Sequence, residues 1–443
     1  MRESIKKALL PALLALCVLL AGCSGLAVRA EASTPTPTAP AATEEPVPTP
    51  EPTPSVFRFP DGSEHAVGET RLDLSALTHE QVEETAGYLR QMQNLQYVDL
   101  GADRAMTRLE RDGTPLPEPE IVGALWGAIQ EVPAPETEPE RLTWADIRTL
   151  VEAAPQAEVE YRFHISNLPF STLSEKMDIN HIKFDDEGAY IREILPCMQK
   201  LKYLDMDFCS VSSEKMAEIR DAYPDVDVVW RVWFGDTCSV RTDTERILAS
   251  TVYGLDDTNS YELRYCTKVK YLDIGHGCIS DLSFVSEMRD LEVLIVSLTP
   301  YRDLTPLTGL QKLEYFEGCA YHEGGYNLYA LGTCPNLKHI NICSLGQVSG
   351  YESFVNLHNL ERLWIGNATF IPQEWVDKIQ EANPQAEINT TETTGCVGTW
   401  RDSEFGGNVP RYTLLREQFD YDNFDTVWAR YYNDPRYFNP YRG

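Results

Sequence analysis

The chain has 443 residues, of which 43% are hydrophobic, so it can form a globular core in two or three domains. Its formal net charge is −30, and a surface this acidic repels nucleic acid and anionic lipid. These values exclude a nucleic-acid-binding protein. We attribute the surplus of acidic residues to solubility rather than to the binding of a cationic partner.

The first 22 residues have the pattern of a secretory leader. Arg2, Lys6 and Lys7 precede an apolar run over residues 8–20, which is too short to span a bilayer. The run leads into the sequence LAGC, whose cysteine is Cys23. This tetrapeptide resembles the bacterial lipobox, in which the cysteine thiol receives a diacylglycerol. The resemblance implies a signal peptide over residues 1–22, lipidation of Cys23 by chains such as palmitate, and an exported protein held to the membrane of the cell envelope. An ordinary leader with a chance cysteine is the alternative.

Residues 23–56 form a linker rich in proline, threonine and glutamate. Eight prolines lie between residues 34 and 55, where Val47 is the one larger apolar residue. A segment of this composition cannot build a core, so we expect a disordered stalk. At ~3 Å per residue in an extended conformation, the stalk could hold the folded part up to ~100 Å from the membrane.

A hexad recurs in the second half of the chain, and its first positions lie 22, 22, 24 and 23 residues apart. Its copies begin at Val269, Leu291, Leu313, Leu337 and Leu360, related copies begin at Leu95 and Leu201, and residues 72–74 predict an earlier strand. The pattern L-x-x-L-x-L and its period resemble leucine-rich repeats. The returns ISDL at residues 279–282 and YRDLTP at residues 301–306 resemble those of internalin-type bacterial repeats. The asparagine usual in such returns is replaced by Gly277, Thr299 and Tyr321.

This resemblance implies an α/β fold over residues 57–395, namely a leucine-rich-repeat solenoid with a curved parallel sheet and with helices and turns on the convex side. Each unit has an apolar edge that it cannot bury alone, so stacking creates one continuous core. Longer repeats carry a second module, in which a helix precedes a proline and a strand. The helices are predicted over residues 145–151, 213–220 and 373–380, before Pro155, Pro224 and Pro384. Capping boxes at Thr78 with Gln81 and at Thr143 with Asp146 predict two helix starts.

Two segments fall outside the repeats. Residues 111–140, rich in proline and glutamate, are predicted to be an inserted loop. Residues 396–443 carry aromatic residues among charges, which predicts a cap packed on the last repeat, with a binding element as the alternative. These aromatic residues are Trp400, Tyr412, Phe419, Phe424, Trp428 and Tyr431.

The hexad also predicts a binding surface. Its leucines face the core, so the third and fifth positions point to the opposite, concave face of the sheet. The candidate ligand-binding residues at these positions are Tyr97, Tyr203, Asp205, Tyr271, Asp273, Tyr315, Glu317, His339, Arg362 and Trp364. Rows of tyrosines beside acids would suit a polar or basic ligand. The alternative is a solvated strand face whose tyrosines stabilise the sheet by stacking.

The motifs of common enzymes are missing from the sequence. His79 and Glu80 lack the second histidine of a zinc protease, and no G-x-S-x-G, Walker or complete G-x-G-x-x-G motif occurs. The acids at residues 420–425 lack the glycine and distal glutamate of an EF-hand, and the 11 cysteines include no C-x-x-C pair. We therefore predict no catalytic residue, no metal and no cofactor.

The functional expectation is a membrane-anchored, extracytoplasmic protein that binds another protein at the bacterial cell surface. A glycan- or cell-wall-binding lipoprotein is the runner-up, and an enzyme with an unrecognised site is a distant third. The identity of the ligand does not follow from the sequence.

Overall fold

The computed structural model describes residues 55–103, 141–166, 168–235, 238–250, 252, 254–319, 324–366, 368–391, 393 and 400. The predicted signal peptide, the stalk up to residue 54, Cys23, the 111–140 loop and the tail apart from Trp400 lie outside these residues. The described residues all belong to one of the two units into which the chain divides, residues 54–443.

Most strands are short, and they form three successive blocks. In the first block, two antiparallel strands precede three parallel strands and an antiparallel fourth. These are β1 Val56–Arg58, β2 Glu64–Ala66, β3 Arg71–Asp73, β4 Tyr97–Ala102, β5 Glu158–Ile165 and β6 Leu168–Ser171. The second block has three parallel strands and an antiparallel hairpin. These are β7 Lys176–Asp178, β8 Tyr203–Asp205, β9 Asp227–Val229, β10 Arg231–Phe234 and β11 Cys238–Arg241.

The third block contains a seven-stranded parallel sheet and a three-stranded parallel sheet. The larger sheet consists of β12 Arg246–Leu248, β13 Tyr271–Asp273, β14 Val293–Ile295, β15 Tyr315–Glu317, β17 His339–Asn341, β19 Arg362–Trp364 and β21 Glu387–Asn389. The smaller sheet lies in the returns and consists of β16 Tyr326–Asn327, β18 Gly346–Ser349 and β20 Thr369–Phe370. The larger sheet contains one strand from each of the five hexads between residues 269 and 365, and β12 and β21 lie at its edges.

A buried column of side chains joins the repeats of the larger sheet. The fourth residue of each hexad pairs with the fourth residue of the neighbouring strand, and each of these residues is 0% exposed. They are Leu272, Leu294, Phe316, Ile340 and Leu363. The first hexad residues, Val269 among them, are buried as well. The predicted apolar spine is therefore confirmed, and with it an α/β leucine-rich-repeat fold.

The helix–proline–strand modules are also confirmed. The α-helices are α1 Val82–Leu89, α2 Trp144–Ala153, α3 Ala189–Ile194, α4 Ser213–Ala222 and α5 Gln373–Ala382. Short 3-10 helices occur at His79–Gln81, Leu195–Cys197, Ser260–Tyr265, Ser283–Glu287, Thr305–Leu307, Leu331–Thr333 and Tyr351–Asn356. Both predicted capping boxes are formed, at Thr78 and at Thr143. Among the residues described, no helix is long and apolar enough to cross a lipid bilayer.

Amide side chains form further links between repeats. Asn336 and Asn359 lie immediately before the first residue of a hexad, and Gln385 lies at the first position itself. Each donates to a carbonyl oxygen of the preceding repeat. Asn336 donates to Gln311 over 2.7 Å, and Asn359 donates to Pro335 over 3.0 Å. Gln385 donates in the same way to Leu360. Polar links thus reinforce the stacking that the spine provides.

Candidate functional site

The candidate site is the outward face of the sheet, which we define by the third and fifth residues of each hexad. Parallel pairing places these residues in two rows along β13 to β21. The third positions hold Tyr271, Val293, Tyr315, His339, Arg362 and Glu387, and the fifth positions hold Asp273, Ile295, Glu317, Asn341, Trp364 and Asn389. The predicted rows therefore exist, on the side of the sheet opposite the spine.

The burial of these rows differs from the predicted open face. The candidate residues of β13, β15, β17 and β19 are all at most 6% exposed; they are Tyr271, Asp273, Tyr315, Glu317, His339, Arg362 and Trp364. Asp205 is buried too, whereas Tyr97 and Tyr203 are half-buried. Side chains from other parts of the chain cover or pair with several of them. Ligand binding at these residues stays a prediction.

In the first block, charged neighbours surround Tyr97. The guanidinium carbon of Arg71 lies 4.1 Å from the centroid of the Tyr97 ring, and the Tyr97 hydroxyl donates to Glu160. Burial, and then this bond to Glu160, raise the pKa of Tyr97 to about 12. Asp99 lies beside this tyrosine and pairs with Arg162 at 3.5 Å. Asp99 is thus already matched by an arginine of the same block, and Glu160 accepts from Tyr97.

In the second block, an arginine of the β10–β11 hairpin lies against the outward face. Arg241 donates to the Tyr203 hydroxyl over 2.7 Å and pairs with Asp205 at 2.9 Å. Arg231 pairs with Asp207 at 3.1 Å. Burial raises the pKa of Asp207, although both arginines act in the opposite direction. The basic group that the sequence suggested in a ligand is here supplied by the protein itself.

In the third block, Trp400 packs on the outward face of β15, β17 and β19. It is 0% exposed, and its ring centroid lies 5.5 Å from that of Tyr315 and 5.5 Å from that of Trp364. The His339 ring is 6.4 Å away, and the guanidinium carbon of Arg362 lies 4.7 Å from the indole centroid. We call Tyr315, Glu317, His339, Arg362 and Trp364 the indole site.

Two hydrogen bonds fix Trp400 in the indole site. Its ring nitrogen Nε1 donates to Glu317 Oε2 over 2.9 Å, and Arg362 Nη1 donates to its carbonyl oxygen over 3.4 Å. Glu317 also accepts from the hydroxyls of Tyr315 and Ser297, over 2.8 and 2.9 Å. Trp400 therefore lies over the fourth to sixth strands of the seven-stranded sheet. The rest of the predicted cap lies outside the described residues, so the cap stays a prediction.

Arg241 and Trp400 occupy similar positions relative to a helix–proline–strand module. Each follows a helix–proline–strand module, 17 residues after Pro224 and 16 residues after Pro384 respectively. Each contacts outward residues of strands that precede its own module. The distance from the proline is a sequence feature that the two residues share, but it does not show which strands they contact.

The other clefts and titratable side chains have fewer groups that could bind a ligand or a metal. A cleft of about 450 Å³ is lined by return residues, among them Tyr351, Phe370 and Thr390, and its described lining contains no charged side chain. His79 pairs with Asp146 at a helix start. Across the described ranges, no group of three or more His, Cys, Asp and Glu residues could hold a metal ion.

Comparisons with known proteins give distant structural matches. No family model matches the chain, and no curated protein matches it. An internalin, InlF, of Listeria monocytogenes matches with 14% identity and a TM-score of 0.26, over 56% of this chain and 77% of the internalin. A leucine-rich-repeat protein of Leptospira interrogans matches with 13% identity and a TM-score of 0.28, over 68% and 91% of the two chains. These scores are low, so the fold assignment rests on the repeat register and the buried spine.

Proposed function

We propose that this chain is an exported bacterial lipoprotein, anchored through Cys23, whose leucine-rich repeats form a solenoid that binds a protein partner at the cell surface. The outward face is the proposed recognition surface. Its strands present residue types that are enriched at protein interfaces, namely Tyr, Trp and Arg. The short strands hold these side chains in fixed rows, which lowers the entropy that is lost on binding.

The observation that carries this proposal is the occupied indole site. The outward face holds a tryptophan side chain of a polypeptide by ring contacts and by hydrogen bonds to its indole nitrogen and to its main chain. A surface that binds one peptide segment in this way has the chemistry to bind another. A glycan ligand gains less support, because the group held in the indole site is part of a polypeptide. The enzyme alternative has no observation in its favour among the described residues.

Site-specific photocrosslinking in the native cell tests the proposal. Glu361 is 55% exposed and contacts His339 at 3.2 Å, so p-benzoylphenylalanine at this position borders the outward face. Tyr329, which lies in a return and is 59% exposed, is the control position. We expect an adduct with one envelope protein from position 361 that is absent from position 329 and is reproduced with the purified partner. Equal labelling at both positions, or no adduct from position 361, would contradict the proposal.

A further inference from the structure

We propose that the indole site is a specific receptor for a tryptophan side chain, that Trp400 fills it within the same chain, and that a protein partner binds by inserting a tryptophan of its own in place of Trp400. This inference rests on the proposed function, since it names the part of a partner that the outward face recognises. The partner is thus a protein with an accessible tryptophan in a flexible segment.

The ring contacts select a flat aromatic side chain. Tyr315 and Trp364 lie on the indole at equal centroid distances of 5.5 Å, with interplanar angles of 37° and 52°. The guanidinium of Arg362 lies within cation–π distance of both Trp400 and Trp364, at 4.7 and 4.2 Å. An aliphatic side chain would lose these ring and cation contacts, so the site favours an aromatic occupant.

The carboxylate of Glu317 selects an indole among aromatic rings. Glu317 is 0% exposed and accepts the Nε1–H of Trp400. A phenylalanine in the same place would leave this buried acceptor without that donor, which is unfavourable for a charged group. Sites built around such a bond discriminate strongly against analogues that lack the donor. Tryptophan is therefore preferred to phenylalanine.

The bond from Arg362 to the Trp400 carbonyl oxygen extends recognition to the main chain. Free indole cannot make this bond, whereas any peptide that contains tryptophan can. The natural occupant is consequently a polypeptide segment. Since Trp400 is tethered to the site, an external segment competes against its high effective concentration, and removal of Trp400 should strengthen binding of that segment.

Peptide binding to matched variants tests the inference. The probe is a fluorescein-labelled peptide with the sequence of residues 395–405 and a serine for Cys396, followed by fluorescence anisotropy. We expect the Trp400→Ala protein to bind it at least about tenfold more tightly than the wild type, because the tethered competitor is gone. Trp375→Ala, which removes a tryptophan of α5, is the matched control and should behave as the wild type. Adding Glu317→Ala to Trp400→Ala should abolish the gain.

The specificity of the site is tested with the same peptide carrying Trp400→Phe or Trp400→Ala. Both should bind the Trp400→Ala protein at least about tenfold more weakly than the tryptophan peptide. Equal binding of the phenylalanine peptide, or no binding of the tryptophan peptide, overturns the inference. If circular dichroism shows that Trp400→Ala is unfolded, the Trp400→Phe protein, which keeps an aromatic ring at this position, takes its place. Its failure to bind the tryptophan peptide more tightly than the wild type would equally overturn the inference.

Two further results separate this inference from the proposed function. A crosslink from position 361 without peptide binding removes the tryptophan receptor and leaves partner recognition intact. Peptide binding without any crosslink would support the tryptophan receptor and would contradict the proposed binding of a partner at the cell surface. A purified wild type that is dimeric, and becomes monomeric with Trp400→Ala, would show that a second copy fills the site and would overturn the assignment of Trp400 to its own chain.

Discussion

Buried ion pairs on the outward face have a different energetic role from the ion pairs exposed at the surface. The side chains of Arg241 and Asp205 are 11% and 6% exposed, and the two charges meet at 2.9 Å. Those of Lys202 and Glu175 are 68% and 64% exposed at a similar distance. Loss of Asp205 leaves the buried Arg241 with only the more distant carboxylates of Asp207 and Asp243, at 3.6 and 3.3 Å, whereas solvent compensates the exposed Lys202. Similar distances therefore predict unequal effects on stability.

Asp205→Ala should lower the free energy of unfolding by about 3 kcal/mol, because Arg241 would remain buried without this partner. Glu175→Ala is the control and should leave the urea midpoint almost unchanged. The double variant of Asp205 and Arg241 should recover part of the loss, since it removes both charges. A loss that is equally large for Glu175→Ala would refute this account.

The carboxylate of Asp146 makes the stability of the first turn of α2 depend on pH. It accepts bonds from the Thr143 amide and hydroxyl, both over 2.8 Å, and it pairs with His79 at 2.8 Å. Burial raises the pKa of Asp146, but the bonds from Thr143 and His79 outweigh burial, and the net pKa lies below 3.8. A lowered pKa in the folded state stabilises the protein above pH 3.8, and this contribution is lost as the pH falls through the folded pKa.

Asp146→Asn should therefore lower the free energy of unfolding by about 1 kcal/mol at pH 6 and by much less at pH 3. At pH 6 His79 is protonated, because its hydrogen bond to Asp146 raises its pKa above 6.5. Urea unfolding of both proteins between pH 3 and pH 6 measures the difference. A deficit that stays constant over this range would contradict the titration of Asp146.

At the scale of the elements, the three-residue strands depend on the spine for their stability. Leu294 of β14 lies between Leu272 and Phe316 and is fully buried. Leu294→Ala should lower the free energy of unfolding by about 3 kcal/mol, because it leaves a cavity between two repeats. Tyr329→Ala, at an exposed position, should have little effect. Equal denaturant midpoints for the two variants would show that the column does not carry the stability.

The sequence predicts the elements that have a strong local pattern. The hexads predict strands because their leucines are buried at a fixed spacing, and Thr143 predicts a helix start because its hydroxyl bonds the helix backbone. Strands β7 and β12 were missed, because Ser174 and Thr244 occupy the usual place of the first leucine. The β1–β2 hairpin was missed as well, although Pro60, Asp61 and Gly62 form a strong turn motif between its strands.

The sequence predicts the residues of the outward face but not their burial. Periodicity is sufficient to place Tyr203, Tyr315 and Glu317 on the face opposite the spine. Their cover comes from Arg241 and Trp400, which are 38 and 83 residues away from Tyr203 and Glu317 respectively. No local pattern relates positions so far apart. Long-range folding of the chain onto its own sheet is the part that a sequence pattern does not reveal.

At the scale of the whole molecule, the proposed anchor determines where the repeats act. Cys23→Ala should move the protein from the membrane fraction to the soluble fraction, because two or more acyl chains provide the binding to lipid. Cys17→Ala is a close control, since this cysteine lies within the predicted leader. Fractionation and metabolic labelling with a fatty-acid analogue measure both variants. Label on Cys23→Ala at the wild-type level would contradict the anchor.

The distribution of thiols has a practical consequence. Of the eight cysteines in the described part of the chain, seven are buried and Cys278 is exposed. Burial raises the pKa of Cys197 to about 12 and that of Cys334 to about 11, so these sulfurs stay protonated and react slowly with electrophiles. Within the folded repeats a maleimide dye should therefore attach at Cys278. That attachment point, in a return of the third block, lets a fluorophore follow the repeats once Cys23 and Cys396, which lie outside the described residues, are replaced by serine.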